Sequence, residues 1–174
     1  MLIDMKTTTV NLYSLNLSES RSILIATLFI LGNIALPQLC HLIPQGGLMF
    51  LPIYFFTLIG AYKYGWQVGL LTAIASPLIN SALFGMPAAS VLPAILTKSV
   101  LLALGAAWIA HRFKTVNILL LLAVVLLYQI VGSLIESLLI GSFSIGFQDF
   151  RIGIPGMLLQ IVGGYLLIKY IIKK

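Results

Sequence analysis

From Val116 to Ile140 the chain carries a single charged side chain, Glu136. That run is longer than the about 20 residues a helix needs to cross a bilayer. Comparable apolar runs recur along most of the sequence, and this constrains the fold more than any other feature. Apolar residues make up 60% of the chain and charged ones only 8%. A water-soluble domain is about one quarter charged, so this chain could not clothe a globule in polar groups. Disorder needs low hydrophobicity and high charge, and a single cysteine rules out a disulfide scaffold. Barrel strands alternate apolar and polar residues, whereas these runs are continuous. The expected class is an all-α integral membrane protein.

Turn and breaker residues divide the chain into six expected spans, at Ser22–Ile43, Phe50–Tyr62, Gly65–Leu83, Ser90–Ala110, Val116–Ile140 and Ile154–Ile172. Pro44, Gln45, Gly46 and Gly47 end the first. The second is short for a crossing and forms a tight hairpin with the third. Pro77 marks a kink, and Gly85, Met86 and Pro87 a turn. Pro93 falls in the first turn of its helix, where it is tolerated. Residues 1–21 form a polar N-terminal segment, with a weak alternation at Val10, Leu12, Leu15 and Leu17 that suits a membrane surface. Residues 22–174 form the six-helix membrane domain. The first span is too long for a signal peptide and no small-residue cleavage site follows it. Leu39 before Cys40 does not fit a lipidation signal.

Charge predicts orientation. With the N-terminus in the cytoplasm, the inner segments hold Lys6, Arg21, Lys63, Arg112, Lys114, Lys169, Lys173 and Lys174. The outer segments hold only Arg151, and Lys98 lies within a span. This bias follows the positive-inside rule and predicts both termini in the cytoplasm. It also accounts for the net charge of +6 without a nucleic-acid partner. Trp66 and Trp108 fall at the inner ends of their spans, where interfacial aromatics belong.

Enzymatic constellations are missing from the sequence. His41 and His111 fall on opposite sides, and Cys40 beside His41 does not face it on a helix. There is no His-Glu-x-x-His motif and no phosphate-binding glycine loop. Ser142 and Ser144 do not have nucleophile-elbow spacing. The sequence therefore predicts no enzyme, no metal and no cofactor. The informative residues are charges inside spans. A charge at mid-bilayer costs about 2.5–3.5 kcal/mol on insertion scales, so Lys98 and Glu136 should turn inward. Both lie in the outer half. They either line an outward-facing pocket or pair with each other to hold the bundle. Asn80, Gln160, Arg151 and Phe147 lie at similar depth or in the outer loop and complete a candidate ligand site. Gln148 and Asp149 lie in the same loop, and Tyr128 and Gln129 near the middle of the fifth span. Small residues at Ser22, Ala26 and Gly32 on the first span suit either internal packing or docking to another membrane subunit.

The segment from His41 to Ser99 carries His41-Leu-Ile-Pro44, a Gly-Gly turn and Phe50-Leu-Pro52-Ile-Tyr54. Then come Gly60-Ala-Tyr-Lys63-Tyr-Gly65-Trp-Gln-Val-Gly69-Leu-Leu-Thr, Ser76-Pro77 and Gly85-Met86-Pro87. In these motifs it resembles the substrate-binding S component of energy-coupling factor transporters. The resemblance implies a six-helix receptor in the prokaryotic cytoplasmic membrane that captures a small vitamin-like ligand on the extracellular side. It implies a membrane coupling subunit and two ATPase subunits as partners, which would supply the ATP chemistry. Family members commonly carry Ala-xxx-Ala on the first helix for contact with the coupling subunit. Here Ser22 with Ala26 is the nearest substitute, since Ile30 follows Ala26. A structural subunit of a membrane complex and a stand-alone facilitator are the alternative functions.

Overall fold

The computed structural model describes residues 8–9, 15–16 and 18–171. Among the described residues the chain is an all-α bundle apart from one two-residue ladder. Helix α1 (Ser20–Cys40) is followed by α2 (Gly46–Phe50), a 3-10 turn at Pro52–Tyr54 and α3 (Phe55–Tyr64). Helices α4 (Trp66–Phe84) and α5 (Leu92–Phe113) come next, then α6 (Ile118–Ile140). Two short helices, α7 (Phe143–Gly146) and α8 (Gln148–Ile152), lead into α9 (Ile154–Leu158). Beyond α9 the last rod continues through π-helical turns at Leu159–Gly163 and Leu167–Ile171.

Among the described residues five helical stretches are long and apolar enough to cross a membrane, Gly46–Tyr64 counting as one, and the pair Phe143–Ile152 and Ile154–Tyr170, bent by 52°, makes a sixth if taken as one span. Large apolar side chains such as Leu24, Leu28, Leu104, Leu127 and Leu138 face outward. Water would not tolerate such a coat, but lipid does. The span boundaries fall close to the sequence expectation. The main differences are at the second and sixth spans. The second begins earlier, at Gly46, because that glycine lets α2 lie against the Cys40 carbonyl where any Cβ would clash. It then breaks at Leu51, whose φ of 47° is left-handed, and restarts at Pro52.

The bundle is wound around α3. Of the most apolar stretch of Gly46–Tyr64, 72% is buried, against 22% for α1 and 39% each for α4, α5 and α6. Helix α1 offers α3 and α4 one inward stripe, Ser22, Ala26, Phe29, Asn33 and Pro37, at helical spacing. Phe29 packs on Phe56 and Tyr64 with ring centroids 6.1 and 5.7 Å apart.

Helix direction alternates, so the bundle has two distinct ends. At one lie Arg21, Lys63, Arg112 and Lys114; we call it the basic end. There β1 (Thr8–Thr9) pairs antiparallel with β2 (Thr115–Val116). Leu15 N–H donates to the Tyr64 carbonyl, and the Tyr62 hydroxyl donates to the Thr115 carbonyl. The ladder was not foreseen in the sequence. It ties part of the N-terminal segment to the α5–α6 connection; Val10, Leu12 and Leu17 of the expected alternation lie outside the described residues, as do residues 172–174. Lys63, expected in a loop, is instead buried near the end of α3. The opposite end carries the turn 85–91 and the α7–α8 loop, and we call it the loop end.

Candidate functional site

Lys98 lies roughly 9 Å below the start of α5 and Glu136 roughly 6 Å from the end of α6, at about 1.5 Å per residue. Both are at the loop end. The Lys98 ammonium donates to Glu136 Oε2 at 2.5 Å and to Asp149 Oδ2, on α8, at 2.7 Å. The three side chains are 1%, 11% and 16% exposed. One cation therefore holds two carboxylates inside the protein.

Local sequence makes this geometry possible. Gly132, one turn before Glu136, leaves its face of α6 bare, and a Cβ there would stand 2.5 Å from Lys98 Cγ. The lysine stem lies over that gap. Gly146 plays the matching role for the loop, since a Cβ on it would strike Ser137. The loop thus presses onto the end of α6 and brings Asp149 to Lys98.

Around this triad stands a group of buried polar side chains. Tyr54 is 2% exposed and close enough to Asp149 and Glu136 for its hydroxyl to feel both carboxylates. Its ring tilts against Tyr128 at 5.3 Å between centroids. Tyr128 donates to Gln160 Oε1 at 2.9 Å, and Gln160 Nε2 reaches the Leu51 carbonyl at 3.5 Å. Ser99 follows Lys98, Ser133 follows Gly132, and Gln129 is one turn from Ser133. The Tyr54, Ser99 and Ser133 hydroxyls and both polar atoms of Gln129 have no hydrogen-bond partner among the described residues. A buried polar group left unpaired costs about 1–3 kcal/mol, so five such atoms between the loop end and the middle of the bundle call for a reason.

No protein-family model, curated protein or solved structure matches the chain. What the site can do therefore has to be read from its own chemistry.

Of the residues singled out in the sequence, the structure brings Lys98 and Glu136 into direct contact, and Gln160 joins them through Tyr128 and Tyr54. Asn80 belongs elsewhere. Its amide donates to the Asn33 and Ser76 carbonyls at 2.9 and 3.0 Å, within a second buried cluster. Arg151 is exposed and donates to the Ser144 carbonyl and hydroxyl. Phe147 stacks on Phe143 within the loop, with centroids 4.4 Å apart. Ser22 and Ala26 are fully buried within the chain, with Ser22 donating to the Asn16 carbonyl, and Gly32 backs onto the Phe56 ring. These small residues pack α1 against its own bundle, the packing reading of their pattern. The sequence reading named Asp149 and Gln129 among the polar residues near the site without assigning them to it, and it did not place Tyr54, Ser99 or Ser133 there. A hydroxyl or amide inside an apolar span was the available signal for Ser99, Gln129 and Ser133.

Proposed function

We propose that the chain is the ligand-capturing subunit of an importer of the energy-coupling factor type, set in the cytoplasmic membrane with its loop end outward and both termini inside. The observation that carries this reading is the Lys98–Glu136–Asp149 triad at one end of an apolar bundle, with unpartnered polar groups on the same helices and on the Pro52–Tyr54 turn. Charged groups this expensive in lipid are retained where they meet a solute or a partner charge. The cationic residues Arg21, Arg112 and Lys114 at the other end favour a cytoplasmic position for that end. The motifs from His41 to Ser99 supply the family resemblance. On this reading the α7–α8 loop is the outer cover of the site. Import would need a coupling subunit and two ATPases from elsewhere, because the sequence holds no phosphate-binding loop. Ser22 and Ala26 are both buried, so contact with the coupling subunit would have to use another face of α1.

Three measurements test the reading. Mass spectrometry of the denatured purified protein should release a small water-soluble nutrient. Co-expression with a coupling module should give ATP-dependent uptake of that compound; uptake without the module would favour a facilitator. In a background lacking Cys40, Lys114→Cys should react with an impermeant thiol reagent only after the cells are opened. Labelling of intact cells would reverse the orientation.

A further inference from the structure

The triad does not balance its own charge. Lys98 supplies one positive charge, while Glu136 and Asp149 supply two negative ones. The nearest cation along the chain, Arg151, is exposed and donates to Ser144. A surplus negative charge held in a low-dielectric interior is costly unless something pairs with it. Water could partner the orphan hydroxyls and the Gln129 amide, but it brings no charge. A proton on one carboxylate would cancel the charge but leave Tyr54, Gln129 and Ser133 unpartnered. Among the described residues no third His, Cys, Asp or Glu joins the two carboxylates to make a metal site, and an ammonium already stands between them. One species answers both deficits: a solute that carries a positive charge and has polar groups of its own.

We infer that this site selects a monovalent organic cation, bound at the Asp149 carboxylate beside Tyr54 while Lys98 stays on Glu136. The inference rests on the receptor reading above and narrows its substrate class. Asp149 is the most exposed member of the triad and sits on the loop, so it is the carboxylate an arriving cation meets first. Lys98 then keeps Glu136, and Asp149 turns part of its charge to the ligand. The Tyr54–Tyr128 ring pair supplies aromatic surface in this part of the bundle, which suits a heteroaromatic or substituted ammonium cation.

The test uses the full chain purified in detergent. It is exposed to an equimolar mixture of thiamine and choline as cations, pantothenate and biotin as anions, and riboflavin and nicotinamide as neutral compounds. Unbound material is removed, and the retained compounds are quantified by mass spectrometry. Selective retention of a cation supports the inference. Titration of that cation should then give a dissociation constant at least tenfold weaker for Asp149→Asn, with an unfolding temperature no lower than wild type. Glu136→Gln is the second variant, should Asp149→Asn fail to fold, and should weaken binding in the same direction. Unchanged affinity in a folded variant overturns the inference. Retention of an anion or a neutral compound alone overturns the cation class and leaves the receptor reading standing. Retention of none of the six counts against both.

Discussion

The bundle contains two buried polar clusters of opposite character. The first ties α1 to α3 and α4. Asn33 donates to the Thr57 hydroxyl at 3.0 Å and to the Ser76 hydroxyl at 3.4 Å, and it accepts from the Phe56 N–H at 3.1 Å. Asn80 donates to the Asn33 carbonyl and accepts from Gln38. Every member is neutral, and every side chain in it has a partner. The second cluster, around Lys98, is charged, unbalanced and leaves five polar atoms without partners. A satisfied network fixes a unique packing, while an unsatisfied one is high-stakes and is tolerated where it meets something else. On the receptor reading, the difference separates the part of the bundle built to stay still from the part built to receive.

Substitutions can break or sharpen that contrast. The largest effect belongs to Lys98→Ala, which leaves Glu136 and Asp149 buried without a cation. Removing one partner of a buried ion pair costs about 3–5 kcal/mol. Denaturant unfolding in micelles should show a loss of that size, and a variant as stable as wild type would mean the carboxylates reach solvent. Next comes Asn33→Ala, which takes the side-chain acceptor from the Phe56 N–H and leaves the Thr57 and Ser76 hydroxyls only their bonds to the Ile53 and Thr72 carbonyls. A loss of about 1–3 kcal/mol is expected, with ligand affinity unchanged. An affinity loss in this variant would merge the two clusters into one. Gln129→Leu should be neutral or stabilising by up to about 1 kcal/mol in the ligand-free protein, because it removes a buried group that has no partner. It should at the same time weaken binding of whatever ligand the wild type retains; destabilisation instead would show that Gln129 is already satisfied. The smallest effect is Arg151→Ala, within about 0.5 kcal/mol as for exposed positions generally, followed by the same unfolding assay.

The all-α class, with five or six helices long and apolar enough to cross a membrane, was legible in the sequence, because long apolar runs have few other folds open to them. Lys98 and Glu136 were legible as an inward-turned pair for the same energetic reason. Asp149 was not. An aspartate in a turn-rich loop has an ordinary solvated role by default, and only the contact of Gly146 with α6 carries it to the lysine. Asn80 was placed at the right depth but on the wrong partner, since depth along a helix says nothing about which neighbour a side chain faces. Asn33 gave a usable signal, an amide amid the apolar residues of α1, that was not taken up. The break at Leu51 was invisible because leucine rarely adopts a positive φ, and here it is held by burial beneath Gly153.

The burial of α3 has a consequence for how the protein is made. The stretch Gly46–Tyr64 is the least apolar of the five spanning candidates, since its neighbours rather than lipid surround it. Insertion machinery sorts segments by their affinity for hydrocarbon, and a segment of modest apolarity is a poor substrate for it alone. Gly65 joins this stretch directly to the more apolar α4. The two are therefore suited to enter the membrane as one hairpin, with α1 already in place to offer Asn33 to Thr57 and Ser76. The order of synthesis, α1 before α3 and α3 before α4, becomes part of the design: the centrepiece is threaded in under the cover of helices that lipid accepts more readily.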